Sequence, residues 1–177
     1  MIMFLTDPFK RYSVSCFYHF TDRSNIDLIR KLDGLYSYEK LQEMGAEPPL
    51  PGGNEWSHEA DARKGLDRFI HLCFRPNHPM EHVAHQEGRI KNPIYLSIHV
   101  DVINQDGVMF TDDVSNKSGV EIYTIEEAKK IIDFPVLYTR TDWNDPEIQM
   151  RLQQAEKYEI LVPDHIPLEY IRNIPNG

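Results

Sequence analysis

Seven residues in the first third of the chain, Glu47 to Gly53 (EPPLPGG), hold three prolines and two glycines. Proline has no backbone N–H to give to a helix or central strand, and glycine loses too much freedom in either interior. The stretch therefore reads as a loop, a candidate lid, and it separates two sets of short elements. Whatever forms around it has to be assembled from short pieces.

On the N-terminal side, Ser13 to Phe20 (SVSCFYHF) is β-branched and aromatic, which predicts a buried strand. Ser24 then has the place of a helix cap, with Ile26, Ile29 and Leu32 on one face and Gly34 as the stop. Tyr38 to Met44 predicts a second short helix. Beyond the loop, Ser57 to Lys64 (SHEADARK) predicts a short capped helix, and Phe69 to Phe74 and Ile94 to Val100 predict central strands. Pro79 to Gln86 is expected to make about two helical turns. Thr124 and Glu127 form a capping-box pattern for a helix through Ile132. Val136 to Tyr138 predicts a short strand, Asp145-Pro146 a helix start reaching Glu156, and Tyr158 to Val162 a last strand, with Ile171 to Ile174 a further candidate. The pattern predicts an α+β fold, one domain over residues 1–177, with short helices flanking a sheet. No glycine-rich loop follows the first strand, which argues against a Rossmann or P-loop nucleotide site.

The formal net charge of −9 argues against bulk coating of duplex DNA, although a local cleft can grip a few nucleotides without a basic surface. Cys16 and Cys73, both in apolar strand-like runs, read as reduced buried thiols. Met1 to Leu5 is apolar but is interrupted by Asp7, Lys10 and Arg11, too early for a signal peptide, and no stretch reaches membrane-spanning length. The expectation is a cytoplasmic, monomeric protein without a membrane partner.

Three places could carry chemistry: Tyr18-His19 in the first strand, Arg63 after the Pro/Gly loop, and Glu159 in a late apolar strand. Singly they have ordinary readings, a packed histidine, a solvated arginine and a strand-edge carboxylate. Together they suit cleavage of the N-glycosidic bond of NAD⁺. There a carboxylate near the ribose stabilises an oxocarbenium-like state and takes a proton from an incoming base nitrogen. A histidine can hydrogen-bond the ribose, and an aromatic ring can stack on nicotinamide.

The segments YHFTDRSNIDLI with Gly34-Leu35, SHEADARK, FIHLCFRPNHPM, Met109 to Asp112, Thr141 to Trp143 and QQAEKYEILV occur in the order found in the DarT toxins. Over about Phe17 to Ile174 the chain resembles that family. The resemblance implies a compact ADP-ribosyltransferase-like fold with a central split, antiparallel or mixed β-sheet. It implies an enzyme that transfers ADP-ribose from NAD⁺, without a metal, to a base in single-stranded DNA. The acceptor, thymine or guanine, is left open. The roles implied are Glu159 and Arg63 for catalysis, and Tyr18, His19, Thr21 and Asn25 for NAD⁺. Arg75, His78, Lys117 and Ser118 are implied for DNA. Glu156 fits part of the same pattern as Glu159, and both registers stay open. Asn77-His78 stands where the family has Arg-Ser before Pro79-Met80, which marks a distinct branch. A toxin of this kind, in a toxin–antitoxin or phage-defence system, implies an antitoxin with ADP-ribosyl hydrolase activity, a macrodomain or similar.

Other readings compete. An ADP-ribosyltransferase acting on RNA or protein would share the chemistry. His78, His82 and His85 fall at helical spacing, so a metal-dependent nuclease is a second alternative. A binding module without catalysis is a third, with Trp56 and Trp143 as candidate stacking platforms.

Overall fold

The computed structural model describes residues 7–52 and 55–175. Its centre is a six-stranded sheet. Strand β1 (Cys16–Asp22) lies between β4 (Pro93–His99) and β3 (Phe69–Cys73), and β3 continues to β7 (Glu159–Pro163), then β5 (Met109–Thr111) and β6 (Ile122–Tyr123). Every neighbouring pair is antiparallel. The sheet is thus antiparallel throughout, with no parallel pair, and the second sheet is a two-stranded antiparallel pairing of β2 (Gly34–Tyr36) with β8 (His165–Pro167).

Among the described residues, eight short α-helices flank these sheets: α1 (Pro8–Arg11), α2 (Ile26–Lys31), α3 (Tyr38–Glu43), α4 (Glu55–Lys64), α5 (Pro79–Gln86), α6 (Ile125–Ile131), α7 (Phe134–Tyr138) and α8 (Pro146–Ala155). Several follow the expected signals closely. The capping box of α6 is present, with the Glu127 amide donating to Thr124 and the Thr124 amide donating to Glu127. Asp145 caps α8, accepting from the Glu147 amide at 2.8 Å.

Five expectations are corrected. Val136 to Tyr138 is helical and not a strand, because Asp133 caps it, accepting from the Val136 amide at 3.1 Å, and Pro135 suits its first turn. Arg151 anchors that cap with two hydrogen bonds of 2.7 and 2.8 Å, so local β-propensity is overridden. Asp22, not Ser24, opens the turn into α2, accepting from the Ser24 amide at 2.9 Å. Gly34 does not end that helix. Asp33 takes the left-handed conformation, and Gly34 (φ 144°) begins β2, where a Cβ would meet the Ile166 carbonyl at 2.2 Å. Ile171 to Ile174 contributes a single bridge, Ile98 to Ile171, and no strand. The helix expected from Ser57 begins earlier, at Glu55.

One face of the sheet holds the core, with Phe17, Leu72, Phe74, Phe110, Ile160 and Ile98 essentially buried. Phe9 and Phe17 meet edge to face, as do Phe17 and Phe74. Each such side chain contributes ~1.5–3 kcal/mol through burial. This core fixes β3 and β7, and on the other face those two strands carry the polar residues of the next section.

Candidate active site

A cleft of about 260 Å³ opens between β1, β3 and β7 on one side and α2, β2 and the proline-rich loop on the other. Its walls are largely apolar, among them Leu28, Leu35, Phe69 and Pro51. Its polar groups are few: His19, His71, Ser115, Asp61 and Glu159 among them. An apolar cavity with a small set of converging polar groups is the usual form of a small-molecule site.

Glu159 anchors it. The pairings align Ser97, Tyr18, Cys73, Glu159 and Thr111 in one row across the sheet, so the carboxylate sits on a strand paired on both sides. Glu159 is buried, and its charge is met from three directions. Its Oε2 accepts from the Ser115 amide at 3.0 Å and from His71 Nδ1 at 3.3 Å, and its Oε1 lies 3.5 Å from His78 Nε2. Burial alone would raise the carboxyl group. The hydrogen bond and charge of His71, then His78 and Ser115, outweigh it and hold Glu159 below the usual carboxylate range.

His71 is the counterpart. Burial would lower its imidazole, but the hydrogen bond and charge of Glu159, with Asp61 adding to them, raise it to about 9. Its Nε2 donates to the Leu66 carbonyl at 3.3 Å while Nδ1 faces Glu159, so both ring nitrogens carry protons at neutral pH. His78 caps α5: its Nδ1 accepts from the Met80 amide at 3.3 Å. The proton of the neutral ring is therefore on Nε2, which has no hydrogen-bond partner and faces Glu159. His19 is held near 4 by burial and is neutral. Its Nδ1 donates to the His71 carbonyl at 3.1 Å, which leaves Nε2 as an acceptor.

Asn25 and Thr21, both buried, line the cleft. The Asn25 amide donates to Thr21 Oγ1 at 3.0 Å and to the Leu50 carbonyl at 2.8 Å, and its carbonyl accepts from the Leu50 amide at 3.0 Å. Arg89 bonds the Gly52 carbonyl. The proline-rich loop is thus pinned at two points beside the cleft, and Asn25 spends its hydrogen bonds on that tether.

The structure brings together four of the residues singled out in the sequence, His19, Thr21, Asn25 and Glu159, with His78 adjoining them. It does not gather the others. The Tyr18 ring packs toward Tyr95, with centroids 6.5 Å apart, outside the cleft. Arg63 lies on the exposed side of α4, its nearest acid being Glu59 at 3.5 Å. Arg75 lies over the Trp143 ring at 5.5 Å and near Glu156 at 3.9 Å. Glu156 accepts from Asn77 at 2.9 Å and does not line the cleft, so of the two registers Glu159 occupies it. Lys117 and Ser118 line a separate depression with Asp112 and Asp113, where the Lys117 ammonium meets Asp113 at 2.9 Å. Trp56 has a side chain outside the described residues. His71 and Asp61 were not anticipated. A polar residue inside the apolar run FIHLCF is the same signal that marks Glu159, and it would have found His71.

The three histidines at helical spacing do not form a metal face. His78 is an extended cap residue and not part of the helix, and His82 is bonded to Asn77 at 2.8 Å. Among the described residues no group of three or more His, Cys, Asp or Glu could hold a metal ion.

The family described as DarT, ssDNA thymidine ADP-ribosyltransferase, matches residues 18–175. Among solved structures, Thermus sp. 2.9 DarT in complex with ADP-ribosylated ssDNA is 16% identical. The match covers 90% of this chain and 79% of that one, with a TM-score of 0.66. The same Thermus protein in complex with NAD⁺ matches at 16% identity over 89% and 79%, with a TM-score of 0.58. Thermosipho africanus DarTG in complex with ADP-ribose is 18% identical over 88% of this chain and 42% of that one, with a TM-score of 0.63. At these identities the likeness is one of fold. No curated protein matches the chain.

Proposed function

The chain belongs to the DarT family of ssDNA thymidine ADP-ribosyltransferases, and from that premise we propose that Glu159 is the carboxylate on which its reaction turns. The protein is an ADP-ribosyltransferase that uses NAD⁺ as co-substrate and thymidine in single-stranded DNA as acceptor. The one observation that carries the assignment is the buried, ionised Glu159 in the cleft, held by Ser115, His71 and His78.

The residues present fit NAD⁺. The cleft offers apolar walls for a flat ring and a neutral His19 whose Nε2 is an acceptor for a ribose hydroxyl. It also offers a carboxylate that can face a ribose carbon. When bound, NAD⁺ supplies a ribose whose link to nicotinamide breaks readily, because nicotinamide is a good leaving group. The protein's part is electrostatic. Glu159 stabilises positive charge developing on the ribose, and because its orientation is fixed beforehand little reorganisation is needed. Thr21 and Asn25 act on NAD⁺ indirectly, by holding the loop that borders the cleft.

DNA is assigned to the surface beyond the cleft, where Arg75 and Trp143 present a guanidinium and a half-exposed ring. Base–aromatic stacking with a nearby cation suits single strands. Arg63 and Lys117 are proposed phosphate contacts, and Tyr18 is a packing residue against Tyr95. His78 works inside, as the neutral donor beside Glu159. We further assign a single domain, a monomeric state, a cytoplasmic location and an antitoxin with ADP-ribosyl hydrolase activity. No helix among the described residues is long and apolar enough to cross a membrane.

The test is incubation of the purified protein with NAD⁺ and a thymidine-containing single-stranded oligonucleotide, followed by intact-mass analysis. One ADP-ribose unit is expected on the oligonucleotide, absent for Glu159→Gln and retained for Glu156→Gln. Loss of transfer in Glu156→Gln with Glu159→Gln still active would overturn the assignment.

A further inference from the structure

The inference below rests on the family reading and concerns how the acceptor is activated. The base of thymidine has one ring N–H, at N3, so forming a bond there requires a group to remove that proton. The cleft's titratable groups can be taken in turn. His71 is already protonated on both nitrogens through Glu159 and Leu66. His78, beside the cleft, accepts at Nδ1 from the Met80 amide, so its buried Nε2, which faces Glu159, carries a proton. His19 is a neutral ring whose Nδ1 donates to the His71 carbonyl and whose Nε2 is the acceptor assigned above to a ribose hydroxyl of NAD⁺. Both Glu159 oxygens face donors.

Asp61 differs from all of these. It stands on α4 and lines the same cleft, and its Oδ1 is shut off from solvent without a hydrogen-bond partner. A desolvated acceptor left unmet is costly, and such an orphan calls for a ligand that supplies the missing donor. Four charged groups bear on it. Glu159 on β7 and Asp67 after α4 oppose its ionisation, while His71 on β3 and Lys64 on α4 favour it. Asp67 also lines the cleft and, like Asp61, is half-buried, but neither of its oxygens is orphaned in this way.

We propose that Asp61 is the catalytic base that accepts the N3 proton of the thymine, so that two carboxylates divide the work: Glu159 faces the ribose and Asp61 faces the acceptor. The N3–H bond breaks toward Asp61 Oδ1, and the N3 electron pair forms the bond to ribose C1′. The C1′–nicotinamide bond breaks, and its electron pair goes to the pyridinium nitrogen, which becomes neutral. Asp61 then releases the proton to water. Burial is the largest influence on the Asp61 carboxyl and raises it, which makes it a stronger base than an exposed aspartate. Two carboxylates in one site with opposed shifts are the pattern expected when acid–base roles are split.

The test compares the wild type with Asp61→Asn and Asp61→Glu on two oligonucleotides, one with thymidine and one with 5-bromodeoxyuridine at the target. The bromine makes N3–H more acidic and so lessens the need for a base. Asp61→Asn is expected to bind NAD⁺ by calorimetry as the wild type does and to transfer to thymidine about 10²–10⁴-fold more slowly. Its rate should rise with pH where the wild type has reached its plateau. It should gain at least tenfold more than the wild type from the bromo substitution. Asp61→Glu should lie between the two. Equal gains from bromine in wild type and variant, or an Asp61→Asn rate within threefold of wild type, would overturn the proposal. Loss of NAD⁺ affinity in both variants would also overturn it, by making Asp61 a binding or structural residue. Failure of the wild type itself to modify thymidine would instead refute the family reading.

Discussion

The His71–Glu159 pair makes a quantitative demand on stability. Replacing His71 with glutamine keeps a side chain of similar size but removes the positive charge, leaving Glu159 buried beside only the Ser115 amide and a neutral His78. Breaking a buried ion pair from one side costs ~3–5 kcal/mol. His71 is about a quarter exposed, at 27%, so the lower end applies. The sign follows from the two shifts. His71 rises from 6.5 to about 9, so its contribution is complete below pH 6.5 and is lost as pH climbs through 9. Glu159 is lowered from 4.5, so its contribution is present above pH 4.5 and is lost as pH falls through the depressed value. The pair therefore stabilises the fold most between about pH 4.5 and 6.5, and the stabilisation declines from there toward pH 9. A loss of ~3 kcal/mol in a domain of this size lowers Tm by about 6–12 °C at pH 7. Calorimetric unfolding of wild type and His71→Gln from pH 4 to pH 10 is the assay. The Tm gap should be widest between about pH 4.5 and 6.5 and narrow as pH climbs from there through 9. A gap under 2 °C at pH 7, or one that stays constant across this range, would refute the ion-pair reasoning.

Two further outcomes follow from the same structure. Asp22 is completely buried and accepts from the Ser24 amide and hydroxyl and from the Lys91 and Asn92 amides, at 2.7–2.9 Å. Burial alone would raise its carboxyl group, but those bonds lower it from 3.8 to about 2. Asp22→Ala should cost about 3–4 kcal/mol in urea unfolding at pH 7, and the cost should shrink as pH falls from 4 toward 2. Trp143→Ala, measured by fluorescence anisotropy in a Glu159→Gln background, should weaken binding of a labelled single-stranded oligonucleotide about tenfold, the value of one modest stacking contact. A change under twofold would remove Trp143 from the DNA surface.

The sequence disclosed what local chemistry controls. Pro79 to Gln86 is a helix because proline suits its first turn and His78 caps it, and Thr124 with Glu127 form a reciprocal cap from four residues of text. It misled where distant contacts decide. Val136 to Tyr138 has strand composition, yet Asp133, held by Arg151 from α8, winds it into a helix. Gly34 resembles a helix stop, but its need for glycine comes from the Ile166 carbonyl on β8. The site divides in the same way. Glu159 and His19 were legible because a polar residue in an apolar strand needs a reason. Asp61 was not, because it earns its place only when α4 meets β3 and β7. Arg63 was singled out from the same short segment as Asp61, and only the turn of α4 distinguishes the residue in solvent from the one in the cleft.

A net charge of −9 and a DNA substrate are reconciled by where the charges lie. The functional cleft does not depend on a basic field, since its cations are spent within the protein, His71 on Glu159 and Arg89 on the Gly52 carbonyl and Glu87. What it has instead is a carboxylate on a strand paired on both sides, held by a backbone amide and two imidazoles from separate elements. That arrangement keeps a negative charge buried and oriented before any ligand arrives, as stabilisation of a cationic ribose requires. Single-stranded DNA then needs only to bring a base to this fixed charge. On the proposed reading, stacking on the exposed Trp143 ring beside the Arg75 guanidinium would meet that need with little basic surface. An acidic surface elsewhere would disfavour nonspecific duplex binding, so the charge that argues against a DNA coat is consistent with an enzyme that selects an unpaired base.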